Sequence, residues 1–586
     1  MKKFFKIVLA VIVGIIISQI IFFIIFLIIL AGISSSQNKI ATINDNSIIK
    51  LSFEDPILER TQPSRFDFSI FKTKNFYLKK ILGIKDIIEN IKNAENDPKI
   101  KGIFLDLSTI DASISNLEEI RNALISFKEK GKFIISYSNF YDHKSYYLAS
   151  VADKILLNPK GSLLIKGLTA QIFFYKNTID KLGIKSEVIR CGKYKSAVEP
   201  FTNNKMSKEN REQLNQLIKS FWDYYKKQIS ITRNINIADI DKFADSLYIL
   251  NARKAIEFKF VDSLVYRDEV ISLLEKLCNN KKPSFVSLDK YSQTKKLHKT
   301  SKNKVAIIYA CGNIVMGSKN FEEDIINGEE LAKVIRKARE DSTIKAIVFR
   351  VNSPGGDALA SEIIWREINL TKQIKPVVAS LSTYAASGGY YILTPSDTIV
   401  TSPYSITGSI GVFALFFNFK DFLNQKIGIT TDKVTTNRYS DFGSQIREIS
   451  SYEKIIIKNY VDSIYYTFID HVSKGRKKNF DEIEKLAQGR VWSGIDATQN
   501  NLTDLNGDLF DAIKIAAQKA KLTDYSIIEL PEIKSSLINL LKNTIDDSDI
   551  KLKEFTGNFH IPIKEFLKIK NLEGVKAMLP YLIYVN

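Results

Sequence analysis

Val377-Val378-Ala379-Ser380-Leu381-Ser382-Thr383-Tyr384-Ala385-Ala386-Ser387-Gly388-Gly389-Tyr390-Tyr391 opens as an apolar strand, passes through small residues and starts a helix. The same layout stands earlier as Phe133-Ile134-Ile135-Ser136-Tyr137-Ser138-Asn139-Phe140-Tyr141-Asp142-His143-Lys144-Ser145-Tyr146-Tyr147. Ser136 and Ser138 become Ser380 and Ser382, and Tyr146-Tyr147 become Tyr390-Tyr391, an offset of 244. Carried outward, that offset takes Ile100-Lys101-Gly102-Ile103 to Ile344-Lys345-Ala346-Ile347, Asp153 to Asp397, Pro159 to Pro403 and Gly167 to Gly411, with no gap. Solenoid repeats have periods of only about 20 to 50 residues, so this echo means two copies of a whole domain.

Each copy alternates strands with helices. Ile48–Phe53 and Lys304–Tyr309 read as first strands, and helical stretches follow at Ile87–Asn96 and Leu331–Ala338. Buried strands come next, Gly102–Leu107 and Ala346–Val351, then Lys132–Tyr137 and Val377–Leu381. This order predicts parallel βαβ units with right-handed crossovers, an α/β domain in both copies. Lys208–Ile229 and Tyr452–Lys474 are amphipathic helices whose aromatic residues, Trp222 and Tyr465 among them, read as packing surfaces between domains or subunits. The division predicted is an anchor at 1–32, a first repeat at 47–279, a Lys-rich solvated linker at 280–303, a second repeat at 304–522 and a C-terminal extension at 523–586. The extension has no counterpart in the first copy and is assigned no chemistry.

Hydrophobic residues make up 45% of the chain and charged residues 25%, which fits folded domains. Net charge is +19, but the lysines are spread along the whole chain without forming a stripe, so nucleic acid is not an expected partner. Cys191, Cys278 and Cys311 are too few and scattered for a disulfide framework or a zinc site. With four histidines and no paired-cysteine motif, neither a metal nor a cofactor is expected.

At the amino terminus Lys2, Lys3 and Lys6 precede an apolar run from Ile7 to Ala31, broken only by Ser18 and Gln19. At about 1.5 Å per residue it is long enough for a hydrocarbon core of about 30 Å. It exceeds the apolar core of a cleaved signal peptide, about 7 to 15 residues, and lacks a cleavage motif. It is predicted to be a single uncleaved membrane span, its lysines cytoplasmic and the remainder across the membrane.

Ser387 stands after a strand and before a helix, where free N–H groups favour developing negative charge. Asn352-Ser353-Pro354-Gly355-Gly356-Asp357 ends the neighbouring strand, and its paired glycines can aim N–H groups at an oxyanion. Taken singly, each is also an ordinary cap or turn. The first copy decides between these readings. It has His143-Lys144 at the Ser387 position and Asp111-Ala112 at the glycine pair, so nucleophile and oxyanion loop were lost together.

A serine nucleophile needs a base. His298, His471 and His560 accompany no acidic orienter, which argues against a Ser-His-Asp triad. A desolvated lysine is the other option. Aligning Leu182-Gly183-Ile184 with Ile427-Gly428-Ile429 sets Tyr194 opposite Tyr439 and Lys195 opposite Ser440, so the second copy lacks a lysine that the first retains.

Four stretches in order resemble those of the signal peptide peptidase A family, also called protease IV, in its long two-repeat form. They are Tyr194-Lys195-Ser196-Ala197-Val198-Glu199-Pro200-Phe201, Asn352-Ser353-Pro354-Gly355-Gly356, Ala385-Ala386-Ser387-Gly388-Gly389-Tyr390 and Thr407-Gly408-Ser409-Ile410-Gly411. The likeness extends from the anchor to Ala577-Met578-Leu579-Pro580-Tyr581. It implies two tandem ClpP/crotonase-like domains after a transmembrane helix, with Ser387 as nucleophile, Lys195 as general base, and Gly355, Gly356 and Gly388 at the oxyanion hole. It further implies cleavage of leftover signal peptides and other apolar peptides, assembly as a homotetramer, and residence in the bacterial inner membrane with the catalytic domains periplasmic. The competing readings are an inactive membrane-anchored scaffold of this fold and a crotonase-like acyl-CoA enzyme, against which the anchor argues. Ser342-Thr343-Ile344-Lys345 and Ser451-Tyr452-Glu453-Lys454 match the SxxK pattern of penicillin-binding proteins, but the companion motifs are absent.

Overall fold

The computed structural model describes residues 43–62, 81–248, 251–294, 301–317, 325–533 and 574–578, together with position 6 and scattered positions between 13 and 24. Most of the expected anchor at 1–32 lies outside the described residues, as do His298 and His560. Among the described residues no helix is long and apolar enough to cross a membrane.

Two corresponding sheets form the body of the protein. The first runs Ser263–Leu264, Lys154–Leu163, Phe133–Tyr141, Ile100–Asp106, Ser47–Leu51, Ser284–Ser287, each strand parallel to its neighbours. In the second, Val377–Ala386, Ile344–Ser353, Lys304–Cys311 and Ser526–Leu530 repeat that parallel order. Both faces of each sheet are covered, which is why these strands read as near-continuous apolar runs. Along Ile344–Ser353 the alternation shows directly: Ile347, Phe349 and Val351 pack into one core, Ala346 and Val348 into another.

Two predicted boundaries change. The 280–303 stretch is not simply a solvated linker, because Ser284–Ser287 pairs in parallel with Ser47–Leu51 and buries Val286. The residues beyond 523 do have a counterpart in the first copy, since Ser526–Leu530 lies beside Lys304–Cys311 as Ser284–Ser287 lies beside Ser47–Leu51. Both are short outer strands, Ser284–Ser287 burying only Val286 and Ser526–Leu530 half-buried along its length, and lysines or polar residues flank them. Composition therefore hid them.

A third sheet joins the copies. Its order is Ile325–Asn327, Asn313–Val315, Gly355–Asp357, Gly574–Met578, Val412–Asn418, Lys185–Cys191. Lys185–Cys191, from the first copy, pairs antiparallel with Val412–Asn418 of the second along its full length, from Cys191 opposite Val412 to Lys185 opposite Asn418. Ile179, Ala197, Val198 and Phe201 of the first copy pack there against Phe413, Leu415 and Phe417. Elsewhere the fully buried Arg350 crosses between copies, donating to Glu59 at 3.0 Å and to Glu119 at 2.8 Å, and within its own copy to Ser380 at 2.9 Å. Removing Glu119 from water pushes its carboxyl up to about 7 even beside Arg350.

Candidate active site

The strand Val377–Ala386 delivers Ser387 to a sharp corner. Ser387 has φ 56° and ψ −118°, an uncommon conformation for a residue with a side chain. Its N–H donates to the Gly408 carbonyl at 2.8 Å, and its own carbonyl accepts from Tyr390 and Tyr391 at 3.0 and 2.8 Å. The helix that follows is a single turn, Gly388–Tyr391. Side chains do not fit beside the serine: a Cβ on Gly389 would stand 2.4 Å from the Ser353 carbonyl oxygen, and one on Gly388 would stand 2.7 Å from Ser361 Oγ.

The first copy has a different corner. Asp142 there is extended and caps the longer helix His143–Ala149, in a reciprocal box with Ser145. His143 packs against the rings of Trp222 and Tyr225, and burial pushes its imidazole down to about 4. It serves as a packing residue.

Lys195 arrives from the opposite side, at the end of the loop that leaves Lys185–Cys191. Gln488 and Gly489 of the second copy seat this loop: the Tyr194 N–H donates to the Gln488 carbonyl at 2.8 Å. At Gly489, with φ +79°, a Cβ would lie 2.6 Å from both the backbone nitrogen and the Cβ of Lys195. The result is a lysine with no exposed surface, its Nζ 2.8 Å from Ser387 Oγ and 3.0 Å from both the carbonyl oxygen and the Oγ of Ser409. Burial alone drives its ammonium well below the usual lysine range; no carboxylate offsets it. A neutral amine at hydrogen-bond distance from a hydroxyl can accept that hydroxyl's proton.

The glycine pair lies on the other side of the serine. Gly355 N–H donates to Ser353 Oγ at 3.1 Å and is thereby engaged. Gly356 N and Gly388 N instead line a common space. A Cβ built on Gly388 would stand 3.1 Å from Gly356 N, and one built on Gly355 would stand 2.7 Å from Gly388 N. The chain thus gathers all five residues singled out in the sequence, with the Gly355 N–H taken up by Ser353 Oγ and the Gly356 and Gly388 nitrogens left beside one another.

Sequence reasoning passed over Ser409, Gly489 and the C-terminal strand. Ser409 lay inside a quoted motif but carried no role, and Gly489 had no signal beyond its being a glycine. Cys191 sits in the strand before Lys195, where burial, with Asp462 adding, pushes its thiol up to about 12 and keeps it protonated.

Comparison with known proteins adds an independent line. The profile of peptidase family S49 matches residues 126–281 and again 369–523, one match in each copy. Protease 4 of Haemophilus influenzae is 32% identical over 566 residues, spanning 93% of this chain and 91% of that protein. Protease 4 of Salmonella typhi is 36% identical over 453 residues, 75% of this chain and 73% of that one. The chloroplastic serine protease SPPA of Arabidopsis thaliana is 34% identical over 472 residues, 78% and 69% of the two chains. Among solved structures, a ClpP1 mutant from Listeria monocytogenes overlaps 36% of this chain and 95% of its own at 12% identity, with a TM-score of 0.24.

Proposed function

This chain belongs to peptidase family S49 and is a serine peptidase, and we propose that it cuts apolar peptides through a dyad of Ser387 and Lys195. The observation that carries this reading is the separation of 2.8 Å between Lys195 Nζ and Ser387 Oγ, both fully buried. Neutral Lys195 takes the proton from Ser387 Oγ as that oxygen bonds to the scissile carbonyl carbon. The carbonyl oxygen, now negative, accepts N–H bonds from Gly356 and Gly388, each worth about 10²- to 10³-fold in rate. The carbon–nitrogen bond then breaks, the departing amine takes the proton back from Lys195, and an ester to Ser387 remains. Lys195 next accepts a proton from water as the water attacks the ester, which releases the acid and restores the hydroxyl.

The rest of the proposal concerns setting and substrates. The two sheets and their repeat support a ClpP/crotonase-like fold in each copy. The apolar run Ile7–Ala31 supports a single membrane anchor, with the dyad beside the bilayer on the far side from the cytoplasm. Cleaved signal peptides are the apolar peptides such a position would meet, and a homotetramer is the assembly proposed.

The test is turnover of an apolar peptide by purified protein. Ser387→Ala is expected to abolish it. Lys195→Ala is expected to lower it about 10²- to 10⁴-fold, the range for a lost general base. Lys193→Ala, at an exposed position whose Nζ lies over the Tyr194 ring, is expected to leave it intact. Full activity in Ser387→Ala would refute the mechanism; loss in Lys193→Ala with retention in Lys195→Ala would mean that the base is the other lysine.

A further inference from the structure

Behind Lys195, one buried amide ties the two halves of the proposed dyad together. Gln213 lies in the helix Lys208–Arg233 of the first copy and is 2% exposed. Its Nε2 donates toward the Tyr194 carbonyl oxygen at 3.2 Å and toward Ser196 Oγ at 3.0 Å, so it holds the residues on either side of Lys195. Asn210 Oδ1, one turn back on the same helix, is a third acceptor at 3.1 Å. At the other end of the amide, Oε1 accepts the Val491 N–H of the second copy at 3.2 Å. A carbonyl at one end and an N–H at the other fix which way the amide points.

Val491 connects directly to the nucleophile's side of the site. The strand Val491–Ser493 pairs antiparallel with Ile406–Gly408, with Val491 opposite Gly408. The Gly408 carbonyl accepts the Ser387 N–H, and Ser409, the next residue, supplies the carbonyl and hydroxyl that meet Lys195 Nζ. A closed circuit results, from the Lys195 backbone through Gln213, Val491, Gly408 and Ser409 back to Ser387 and the lysine amine. Two turns along the helix, Ser220 Oγ also meets the second copy, 2.7 Å from Ser493 Oγ. That contact joins the copies away from the lysine loop.

From this circuit we infer that Gln213 is a positioning residue for the base: it sets the place of Lys195 relative to Ser387 across the contact between the copies and keeps water from the lysine amine. The inference rests on the Ser387–Lys195 reading above. The charged groups around the loop act elsewhere. Arg190 donates to the Lys195 carbonyl at 3.2 Å, Glu199 accepts from Ser207 and Asn210, and Glu212 and Arg490 meet the Tyr194 hydroxyl. Among the described residues none of these bonds to Nζ, whose partners are the oxygens of Ser387 and Ser409. Without Gln213, the Tyr194 carbonyl, the Ser196 hydroxyl and the Val491 N–H each lose a partner in a buried place, and water that replaces it enters beside Lys195. A hydrated amine holds its proton more readily than a dry one.

The experiment measures the rate of Ser387 phosphonylation against pH in the full chain, for wild type, Gln213→Met, Ser196→Ala and Ser220→Ala, with thermal unfolding giving the folded fraction of each. Gln213→Met keeps the length of the side chain and removes its hydrogen bonds. It is expected to slow labelling near neutral pH about 10- to 10²-fold per folded molecule and to move the midpoint of the pH profile upward by about one unit or more. Ser196→Ala removes one acceptor and is expected to move the midpoint the same way by less. Ser220→Ala is expected to keep the wild-type rate and midpoint. A merely structural role would lower the folded fraction and leave the midpoint in place. A wild-type midpoint in folded Gln213→Met therefore overturns the inference, and where that variant does not fold, a wild-type midpoint in Ser196→Ala does so. An upward shift of equal size in Ser220→Ala overturns it too, since any loosening of the contact would then suffice. Wild-type labelling that is independent of pH, or unchanged in Lys195→Met, brings down the dyad itself and the inference with it.

Discussion

Lys195 is held in a state that costs stability. Its folded form prefers to be neutral, whereas in the unfolded chain it titrates near the ordinary lysine value of 10.5. Between the lowered folded value and 10.5 the unfolded chain binds more protons, so stability rises with pH across that window. Lys195→Met removes this slope and is expected to raise the unfolding midpoint at neutral pH while turnover collapses, read by thermal unfolding beside a peptide assay. In wild type, kcat/KM is expected to rise with pH as the free enzyme's Lys195 loses its proton. Gly489 belongs to the same scale. Gly489→Ala places a methyl group 2.6 Å from Lys195 backbone and asks a side-chain-bearing residue to hold φ +79°. It is expected to cost about 1–2 kcal/mol of stability and about 10²-fold in turnover, measured by urea unfolding and peptide cleavage. Ser387 and Lys195 could be read from the sequence because duplication leaves a control: His143 and Ser440 mark what each copy gave up. Ser409 and Gly489 could not, since a carbonyl that accepts from an amine and a glycine that permits close approach leave no periodic trace.

Among elements, the strand Lys185–Cys191 does the joining. It leaves the first copy, forms the edge of the third sheet beside Val412–Asn418 and ends a few residues before Lys195. Phe413, 1% exposed, packs in the cluster that holds Ala197 and Val198 next to that lysine. Phe413→Ala is expected to cost about 3–5 kcal/mol and to lower kcat through the displaced lysine, seen as unfolding at lower urea and slower turnover at saturating peptide. The central strands were legible because both faces are buried and each carries an unbroken apolar run, residues 102–105 within Ile100–Asp106 and 346–349 within Ile344–Ser353. The outer strands Ser284–Ser287 and Ser526–Leu530 were not, because the first buries only Val286 and the second is half-buried throughout, which leaves little apolar signal. Gly574–Met578 was beyond reach for another reason: its place is set by pairing with Gly355–Asp357, more than two hundred positions away in sequence.

For the whole molecule, the duplication explains why the site lies between the copies. On the proposed dyad each copy supplies one residue, Lys195 from the first and Ser387 from the second, across the contact between them. That contact is held by the antiparallel ladder and by Arg350 between Glu59 and Glu119. Breaking such a buried pair by removing one partner costs about 3–5 kcal/mol. A chain nicked at a protease site inserted between Thr294 and Ser301 is therefore expected to stay associated on a sizing column and to keep its turnover; separation of the halves with activity surviving in either one would contradict the shared site. Whether Lys195 activates Ser387 is read from the rate of Ser387 phosphonylation as a function of pH, in wild type and in Lys195→Met. Labelling is expected to be confined to Ser387, faster as pH rises in wild type, and slower by about 10²-fold or more in Lys195→Met. Labelling of Ser387 at the wild-type rate in Lys195→Met, or labelling of a different serine, would contradict it.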